Sequence, residues 1–436
     1  MTIGSGEVWL AGARIGLVEP CAFRQQVLAA AASFSAADVI VNLCNDRHLF
    51  LRMFAAAMAR RCTVLLPPSR AETAIAELRA HYPGCRVVDD AFIVADVHPP
   101  FAADSGDEDF VAAIGHTSGS TGLPAAHEKT LRALRTTTAL NAHALRTELA
   151  RQKSGDRPWI VATVPPQHMY GLETSVLLPL LEGFGVHCGR PLLPADVAMA
   201  LSEVPAPRVL VSTPVHLRAL VDSPTRYPEV SIVVSATAPL PPELATRIEQ
   251  RLGAALIEFF GSTETCVIAT RSTALTDRWR PYPGVRLVPG SDGTTVSAPW
   301  FVRDQFLHDL MELQADGSFT VVGRGSDVVE VAGKRASLAD LTRRLLSLDG
   351  VVDAVVFQPP SRAAGTAGRC AALVVSPSLT SREISRRLRG LLDAAFVPRP
   401  LILVPELPRN ELGKLPREKL LEILATYSAS RPRRGT

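Results

Sequence analysis

The chain has 436 residues, of which 47% are hydrophobic and 20% charged, and its formal net charge is +3 at pH 7. This length predicts two or three domains rather than a single core. No run of 18 uncharged apolar residues occurs, and the N-terminus lacks a signal-peptide pattern, so neither a membrane span nor secretion is expected. The seven scattered cysteines include no C-x-x-C pair, which argues against a zinc site or disulfide framework and favours a reducing, cytoplasmic compartment.

Positive charge is concentrated at the C-terminal end. Residues 324–436 carry 19 Lys and Arg against 11 Asp and Glu, a net +8, whereas the remainder carries 27 against 32, a net −5. This part of the chain is either an ordinary solvated surface or a docking face for an acidic partner, since complementary charge speeds encounter. Nucleic acid is not the expected partner, because no reader motif occurs and aromatic residues make up only 6% of the chain.

The first third alternates strand-like and helix-like segments. Apolar, β-branched runs occur at 37–43, 64–66 and 86–88, and helical spacing occurs over 46–60 and 71–81. This alternation predicts a parallel α/β sheet. The acidic, Gly- and Ser-containing segment 101–109 reads as a linker.

A small-residue loop follows the apolar run 110–114. It reads Thr117-Ser118-Gly119-Ser120-Thr121-Gly122. Glycines let backbone N–H groups approach an anion, and hydroxyls add further donors, so the loop predicts a phosphate cradle. The alternative is a polar turn between two elements. The usual nucleotide loop, G-x-x-x-x-G-K-[ST], is excluded because no lysine directly follows Gly122.

Three apolar strand patterns, at 159–164, 208–213 and 230–235, end in small or polar residues. The first leads to Pro165-Pro166-Gln167-His168-Met169-Tyr170-Gly171, the second to Pro214, and the third to Ser235-Ala236-Thr237-Ala238-Pro239. The carboxyl ends of strands are where α/β proteins place ligand groups. A lone histidine such as His168 is there either as a structural residue or as a ligand contact.

The second half adds a helix at 242–252 and a strand at 255–259 that leads to Phe260-Gly261-Ser262-Thr263-Glu264. Taken alone, this pentapeptide is an ordinary turn. Asp309 precedes an Asp-Gly hairpin signal at 316–317. Helices are predicted at 337–347 and 380–394, and strands at 351–357 and 371–375.

Six such segments, in this order, resemble the motifs of the adenylate-forming superfamily, which includes acyl-CoA synthetases, peptide-synthetase adenylation domains and luciferases. They span residues 117–417 and include Gly323-Arg324 and Pro408-Arg-Asn-Glu-Leu-Gly413-Lys414-Leu-Pro-Arg417. The resemblance implies an α/β fold with a large N-terminal domain of stacked α/β sheets (1–323), a hinge (324–327) and a small mobile C-terminal α+β domain (328–436). Without the resemblance, Lys414 would be an ordinary exposed lysine.

The resemblance also implies roles for individual residues. ATP phosphates would be held by Thr117, Ser118, Gly119, Ser120, Thr121 and Gly122, and adenine by Ala236, Thr237, Ala238, Pro239, Phe260, Gly261 and Ser262. Asp309 would bind the ribose, and Arg324 would reach either the ribose or a phosphate. The acid pocket would contain His168, Tyr170, Gly171, Pro214, Ser235 and Gly261. The catalytic residues would be Lys414, Thr263, Glu264 and His168. Thr263 would contact the α-phosphate, Glu264 would bind Mg²⁺, and the C-terminal domain would rotate about Ser326 and Asp327.

Several positions depart from the superfamily pattern, and of its Thr-Gly-Asp motif only Asp309 is present. Ala125 replaces the lysine after the phosphate loop, Phe260 replaces a tyrosine, and Ser326 and Glu330 replace the hinge aspartate and lysine. The Phe260 ring can still stack on adenine, because stacking does not need the tyrosine hydroxyl.

Two short segments resemble compact ligases of aryl-polyene and xanthomonadin-type pigment pathways: Pro124-Ala-Ala-His127-Glu-Lys129-Thr130 and Gly333-Lys334-Arg335. This resemblance implies activation of a hydroxybenzoate-like acid with ATP, followed by transfer to the phosphopantetheine thiol of an acyl carrier protein. A fatty-acyl or aryl CoA ligase using free CoA is the alternative within enzymes. A catalytically weak homologue acting as a binding module is the alternative outside them.

Overall fold

The computed structural model describes residues 8–13, 15–67, 70–92, 108–117, 125–153, 157–324, 328–331, 334–359, 369–410 and 415–429. The chain divides into two compact units, Met1–Val285 with Ser297–Gln305, and Arg286–Val296 with Phe306–Thr436. The mixed α/β fold predicted from the sequence is confirmed. The predicted hinge residues Ser326 and Asp327 lie outside the described residues, and the predicted domain division remains a prediction.

The first unit contains thirteen strands and nine α-helices among its described residues. The strands are β1 (Trp9–Ala11), β2 (Val39–Asn42), β3 (Thr63–Leu66), β4 (Arg86–Val88), β5 (Val111–Thr117), β6 (Ala125–Thr130), β7 (Trp159–Ala162), β8 (Gly185–His187), β9 (Arg208–Ser212), β10 (Ile232–Ser235), β11 (Ala255–Ser262), β12 (Cys266–Arg271) and β13 (Arg280–Pro281). The helices are α1 (Pro20–Ala31), α2 (Arg47–Ala59), α3 (Glu72–His81), α4 (Leu131–Arg151), α5 (Met169–Leu172), α6 (Leu178–Glu182), α7 (Pro194–Ser202), α8 (Pro214–Asp222) and α9 (Pro242–Leu252), and a π-helical turn, Glu173–Leu177, joins α5 to α6.

Two sheets organise this unit. One has eight strands in the order β1-β8-β7-β9-β10-β11-β12-β13, and the other has five in the order β4-β2-β3-β5-β6. Pairs are parallel except β11–β12, β12–β13 and β5–β6. The carboxyl ends of β7, β9 and β10 therefore meet at one sheet edge, where the sequence predicts the acid pocket.

The central strands are apolar throughout because both faces of their sheet are covered. In β7, Ile160 belongs to one hydrophobic core and Val161 to another, and in β9 the same alternation separates Val209 from Leu210. Successive side chains of a strand point to opposite faces, so one continuous apolar run supplies two cores. All four side chains are at most 1% exposed, and the framework of the sheet edge is therefore buried on both sides.

The second unit contains β14 (Arg286–Pro289), β15 (Thr294–Ser297), β16 (Gln305–Leu307), β17 (Asp309–Leu313), β18 (Phe319–Arg324), β19 (Val328–Val331), β20 (Lys334–Ser337), β21 (Asp353–Phe357), β22 (Ala371–Val375), β23 (Leu401–Leu403), α10 (Leu338–Leu346), α11 (Ser381–Leu388) and α12 (Arg417–Ala429). The Asp-Gly hairpin is confirmed between β17 and β18, with Gly317 at φ +79°. The helix predicted at 380–394 is too long. It ends at Leu388, and Gly390, which follows closely, disfavours continuation.

Most of the cysteines are buried thiols. All seven cysteines are free thiols; Cys21 is exposed, Cys85 is half-buried and the other five are buried. Burial raises the pKa of the Cys266 thiol to about 12. Among the helices that the structure describes, none is long and apolar enough to cross a membrane.

Candidate functional site

The turn between β11 and β12 carries two of the predicted catalytic residues. Strand β11 continues three residues past Phe259, where the predicted strand ended, because β12 pairs with it antiparallel as far as Ser262. The register shifts at Phe260 and Gly261, and a Cβ at Gly261 would lie 2.1 Å from the carbonyl oxygen of Cys266. Only glycine fits this bulge, so its place in the motif has a steric reason.

Residues Ser262–Cys266 form what we call the acidic turn. Hydrogen bonds between side-chain hydroxyls and backbone N–H groups of the turn itself stabilise it. The Ser262 hydroxyl accepts from the N–H groups of Glu264 (3.2 Å) and Thr265 (3.3 Å), and the Thr265 hydroxyl accepts from the Ser262 N–H (3.1 Å). Cys266 has a left-handed backbone with φ +60°. Strain of this kind, about 1–3 kcal/mol, persists only where the surroundings over-determine the conformation, as they do here.

The β5–β6 strand pair, which leads into the predicted phosphate loop, packs against the acidic turn. A Cβ at Gly115 would lie 2.6 Å from Thr263 Cγ2. His127 Nε2 lies 3.6 Å from Glu264 Oε1, and the Lys129 ammonium donates to the Glu264 carbonyl oxygen. Thr263 and Glu264 are thereby brought beside both ends of the loop that joins β5 to β6.

Glu264 is ionised at neutral pH and available as an oxygen ligand. Burial opposes its charge most strongly, but hydrogen bonds from the Ser262 hydroxyl and its own backbone N–H, with the charges of His127 and Lys129, outweigh burial and lower its pKa. Its side chain keeps 28% of its surface exposed. No cluster of three or more His, Cys, Asp or Glu that could hold a metal occurs among the described residues. One carboxylate fits Mg²⁺, which is commonly held by one or two carboxylates and substrate phosphates.

A buried carboxyl lies behind the acidic turn. Both Glu173 oxygens accept from the Val267 N–H, at 3.1 and 3.2 Å, and Asn141 Nδ2 donates to one of them at 3.4 Å. The Tyr282 hydroxyl donates to Asn141 Oδ1 at 2.8 Å. Burial raises the pKa of Glu173 to about 7. This network ties the π-helical turn to the first residues of β12.

Residues predicted for the acid pocket meet at the edge of the eight-stranded sheet. The Tyr170 hydroxyl donates to the carbonyl oxygens of Ser212 (3.1 Å) and Val234 (2.9 Å), at the ends of β9 and β10. Ser235, the last residue of β10, is buried, and its hydroxyl has no hydrogen-bond partner in the described part of the chain. An orphaned buried hydroxyl at a strand end is a feature expected of a ligand pocket.

Three further pocket residues are placed by the start of α5 and α8. His168 is the N-cap residue of α5, and Pro214 is the buried first residue of α8. A Cβ at Gly171 would lie 2.0 Å from the Pro165 carbonyl oxygen, which requires glycine at that position.

An aromatic and cationic stack supports Phe260, the predicted adenine-stacking residue. The Phe260 and Trp279 ring centroids are 5.1 Å apart, and the Arg271 guanidinium lies 4.2 Å from the Trp279 centroid. Arg271 pairs with the buried Glu258 at 2.6 Å. Thr237, in the predicted adenine-binding segment with Ala236, Ala238 and Pro239, has φ +80°.

Several predicted residues are not tested by the geometry. The loop Ser118-Gly119-Ser120-Thr121-Gly122, the hinge residues and Lys414 lie outside the described residues, as do the side chains of Thr117, Arg324 and Glu330. Asp309 begins β17 in the second unit, where its carbonyl oxygen accepts from the Thr294 hydroxyl at 2.7 Å. Their proposed roles remain predictions.

Sequence reasoning assigned no role to four residues that contact this site. Lys129 and His127 lie in the pigment-ligase segment, but nothing local indicates that they face the acidic turn. Glu173 carried a usable signal, since it is an acid within an otherwise uncharged stretch that follows His168. Trp279 carried none.

Comparisons with known proteins show the family of the chain. Residues 8–293 match the model of the AMP-binding enzyme family. The chain is 29% identical to a 4-coumarate–CoA ligase from Halorhodospira halophila over 313 residues, covering 69% of this chain and 73% of the relative. It is 25% identical over 357 residues to a 3-hydroxybenzoate–CoA/4-hydroxybenzoate–CoA ligase from Thauera aromatica, covering 71% and 65%.

A solved structure resembles the fold over nearly the whole chain. The o-succinylbenzoate coenzyme A synthetase from Bacillus subtilis, in complex with ATP and magnesium ion, superposes with a TM-score of 0.78 at 18% identity, covering 96% of this chain and 97% of that one. The fold and the site define an ATP-dependent, AMP-forming ligase. The chain belongs to the AMP-binding enzyme family.

Proposed function

We propose that this enzyme activates a hydroxybenzoate-like aromatic acid with ATP and transfers the acyl group to the phosphopantetheine thiol of an acyl carrier protein. The observation that carries the adenylation step is Glu264, an ionised carboxylate on a turn held against the strand pair of the phosphate loop. The sequence of the loop between β5 and β6 is rich in N–H and hydroxyl donors, so the loop and the Glu264 carboxylate would together suit a Mg²⁺–nucleoside triphosphate.

The adenylation chemistry is attack by the acid carboxylate on the α-phosphorus of ATP, with pyrophosphate leaving. Two anions meet, so neutralising charge and aligning the reactants are the main requirements. Thr263 would contact the α-phosphate and Lys414 would neutralise charge developing around it. Glu264 would hold Mg²⁺, which supplies further positive charge to the phosphates.

An aromatic acid is supported by the residues of the pocket and by two relatives. The sheet edge offers Tyr170, His168 and the buried Ser235 hydroxyl, which has no hydrogen-bond partner among the residues that the structure describes. Small-molecule sites are typically lined by apolar and aromatic side chains with a few polar groups. The two relatives described above are named for coumarate and hydroxybenzoate, which are aromatic acids.

Two thiols could accept the acyl group, that of an acyl carrier protein and that of free CoA. The net +8 of residues 324–436 suits an acidic carrier protein, because complementary charge favours encounter. Free CoA is the alternative, since its phosphates are also anionic and both relatives are named CoA ligases. Loading assays with a holo carrier protein and with CoA, at low and high salt, separate them.

Acid-dependent ATP–pyrophosphate exchange over hydroxybenzoates, cinnamates and fatty acids tests the proposal. We expect strong exchange with a hydroxybenzoate and a loss of about 10²-fold or more in Lys414→Ala, comparable to losing one preorganised donor. Lys419→Ala is the matched control, because Lys419 is exposed and pairs only with its helix neighbour Glu422 among described residues. If exchange occurred with alkyl acids alone, the substrate would be a fatty acid and not an aromatic acid.

Two other outcomes would contradict the assignment. Near wild-type adenylation by Lys414→Ala would remove Lys414 from the catalytic step. Absence of exchange with every acid would favour the non-catalytic binding module.

A further inference from the structure

A cavity of about 290 Å³ opens beside the acidic turn, within the first unit. It is lined by residues of β6, by the acidic turn and by residues 300–305, with His127, Lys129, Glu264, Trp300 and Arg303 among them. Its volume lies near the low end of small-molecule sites, roughly 300–1,000 Å³. Its chemistry is mixed, with cations and N–H donors next to the carboxylate that the proposed function assigns to Mg²⁺.

Lys129 is the unusual group in this cavity. In the β5–β6 pair, Gly115 lies opposite His127 and Ala113 opposite Lys129, so side chains two apart share a face and both His127 and Lys129 point to the acidic turn. Lys129 is only 5% exposed. An ammonium is costly to bury without compensation.

Among the described residues, Lys129 uses only one of its N–H donors. An ammonium has three N–H donors, and Lys129 gives one to the Glu264 carbonyl oxygen. Among the described residues, no carboxylate lies within salt-bridge distance of Lys129 Nζ. A buried cation bonded to a neutral carbonyl, at the wall of a cavity, is suited to receive an anion.

Two further donors border the same cavity from residues 300–305. Trp300 is 6% exposed, and its buried Nε1–H has no hydrogen-bond partner within the described ranges. Arg303 is exposed and lies close enough to His127 for its charge to act on that imidazole. The cavity thus combines two cationic side chains with a buried N–H that none of the described residues accepts from.

We propose that Lys129 and Arg303 bind the β- and γ-phosphoryl oxygens of Mg²⁺–ATP, and the pyrophosphate formed from them. This inference rests on the proposed adenylation. In that step the acid oxygen bonds to the α-phosphorus, the P–O bond between α- and β-phosphates breaks, and its electron pair leaves on pyrophosphate. Lys129 and Arg303 supply positive charge where negative charge accumulates on the leaving pyrophosphate. Ala125 stands at the position where the superfamily pattern has a lysine.

The test compares affinities for AMP, Mg²⁺–ATP and Mg²⁺–pyrophosphate, measured by calorimetry on the full chain and on Lys129→Met and Arg303→Met. Both variants should bind Mg²⁺–ATP and Mg²⁺–pyrophosphate about 10-fold or more weakly, because each loses a charge-assisted hydrogen bond. AMP binding should change less than about 3-fold, since AMP lacks the β- and γ-phosphates. Lys129→Arg, which keeps the charge, should restore part of the loss.

Arg132→Met is the matched control. Arg132 is an exposed arginine at the start of α4 that pairs with Asp109 and Glu108, and its removal should change no affinity. Because Arg303 is exposed, Arg303→Met tests the proposal even if Lys129→Met fails to fold.

Equal weakening of AMP and Mg²⁺–ATP in the variants would show that Lys129 only positions the acidic turn, and unchanged binding of all three ligands would exclude any role. Either result overturns this inference and leaves the proposed function standing. Wild-type protein that binds neither AMP nor Mg²⁺–ATP would overturn the proposed function, and this inference with it.

Discussion

Gly115 packs against Thr263 so closely that a side chain at position 115 would have no room. A Cβ at position 115 would lie 2.6 Å from Thr263 Cγ2, well inside van der Waals contact. Gly115 lies in β5 of the five-stranded sheet, whereas Thr263 lies in the turn that follows β11 of the eight-stranded sheet. One missing side chain therefore sets how closely the strand pair of the phosphate loop approaches the acidic turn.

Gly115→Ala should lower the adenylation rate about 10-fold or more, with little change in the melting temperature. The added methyl group displaces Thr263 by several tenths of an ångström, and misplacement of about 1 Å can cost 10²-fold. ATP–pyrophosphate exchange measures the effect. Gly390→Ala is the control, because a Cβ there would meet the Arg387 carbonyl oxygen at an ordinary 3.4 Å. Equal exchange rates in both variants would mean that the acidic turn can shift to accommodate the methyl group without slowing adenylation.

Glu173 should make the protein less stable as pH rises. Burial raises its pKa from 4.5 to about 7. Below pH 4.5 both folded and unfolded states hold the proton, so the carboxyl has no effect. Between pH 4.5 and about 7 the unfolded state ionises while the folded state stays protonated, and stability is lost by about 3 kcal/mol, a loss that persists above pH 7.

The Glu173→Gln variant tests this sign. The variant carries no titrating group at this position. Its free energy of unfolding, measured in urea, should therefore increase relative to that of the wild type as the pH rises from 4.5 to 7. Any constant cost of the amide beside Asn141 shifts the curve without changing its slope. Glu422→Gln, at an exposed position, should follow the wild type. Parallel curves for Glu173→Gln and the wild type would contradict the buried-acid interpretation.

Arg271→Met should destabilise the protein by about 3–5 kcal/mol. Arg271 compensates Glu258, whose side chain is 3% exposed, and removing one partner of a buried pair leaves an uncompensated charge. The double variant Arg271→Met/Glu258→Gln should recover much of the loss. A double variant no more stable than Arg271→Met would show that packing on Trp279, not charge, is the cause. Chemical denaturation measures all three.

Trp279→Leu should weaken AMP binding about 5-fold while leaving Mg²⁺–pyrophosphate affinity unchanged. Trp279 supports the Phe260 ring at 5.1 Å, and losing an aromatic neighbour removes about 0.5–1.5 kcal/mol of ring interaction. Trp279→Phe should be milder, because a ring remains. The reverse pattern, weaker pyrophosphate binding with intact AMP binding, would place Phe260 away from adenine.

The sequence predicted helices and strands well where local residues alone determine their ends. The helix predicted at 242–252 is observed as Pro242–Leu252, because a proline opens it and Gly253, with φ +65°, closes it. The apolar strand runs predicted parallel sheets, since only strands covered on both faces are apolar throughout. The strand at β11 was predicted too short because its last residues depend on pairing with β12.

The supporting contacts of the site could not be predicted, because they join distant parts of the chain. Lys129 reaches Glu264 across 135 positions, and Glu173 reaches Val267 across 94. Neither residue type nor spacing specifies such a partner. The motifs predicted which residues bind the nucleotide, whereas the structure identifies the residues that hold the acidic turn in place.

The uneven burial of the cysteines has a consequence for labelling. The thiolate is the reactive species, and thiols that are buried with raised pKa values stay protonated and sheltered. A maleimide dye added to the native enzyme should therefore modify exposed Cys21, on α1, before any other thiol. Cys266, inside the acidic turn, would remain unmodified, so a fluorescent reporter can be attached without mutagenesis and without touching the chemistry it is meant to follow.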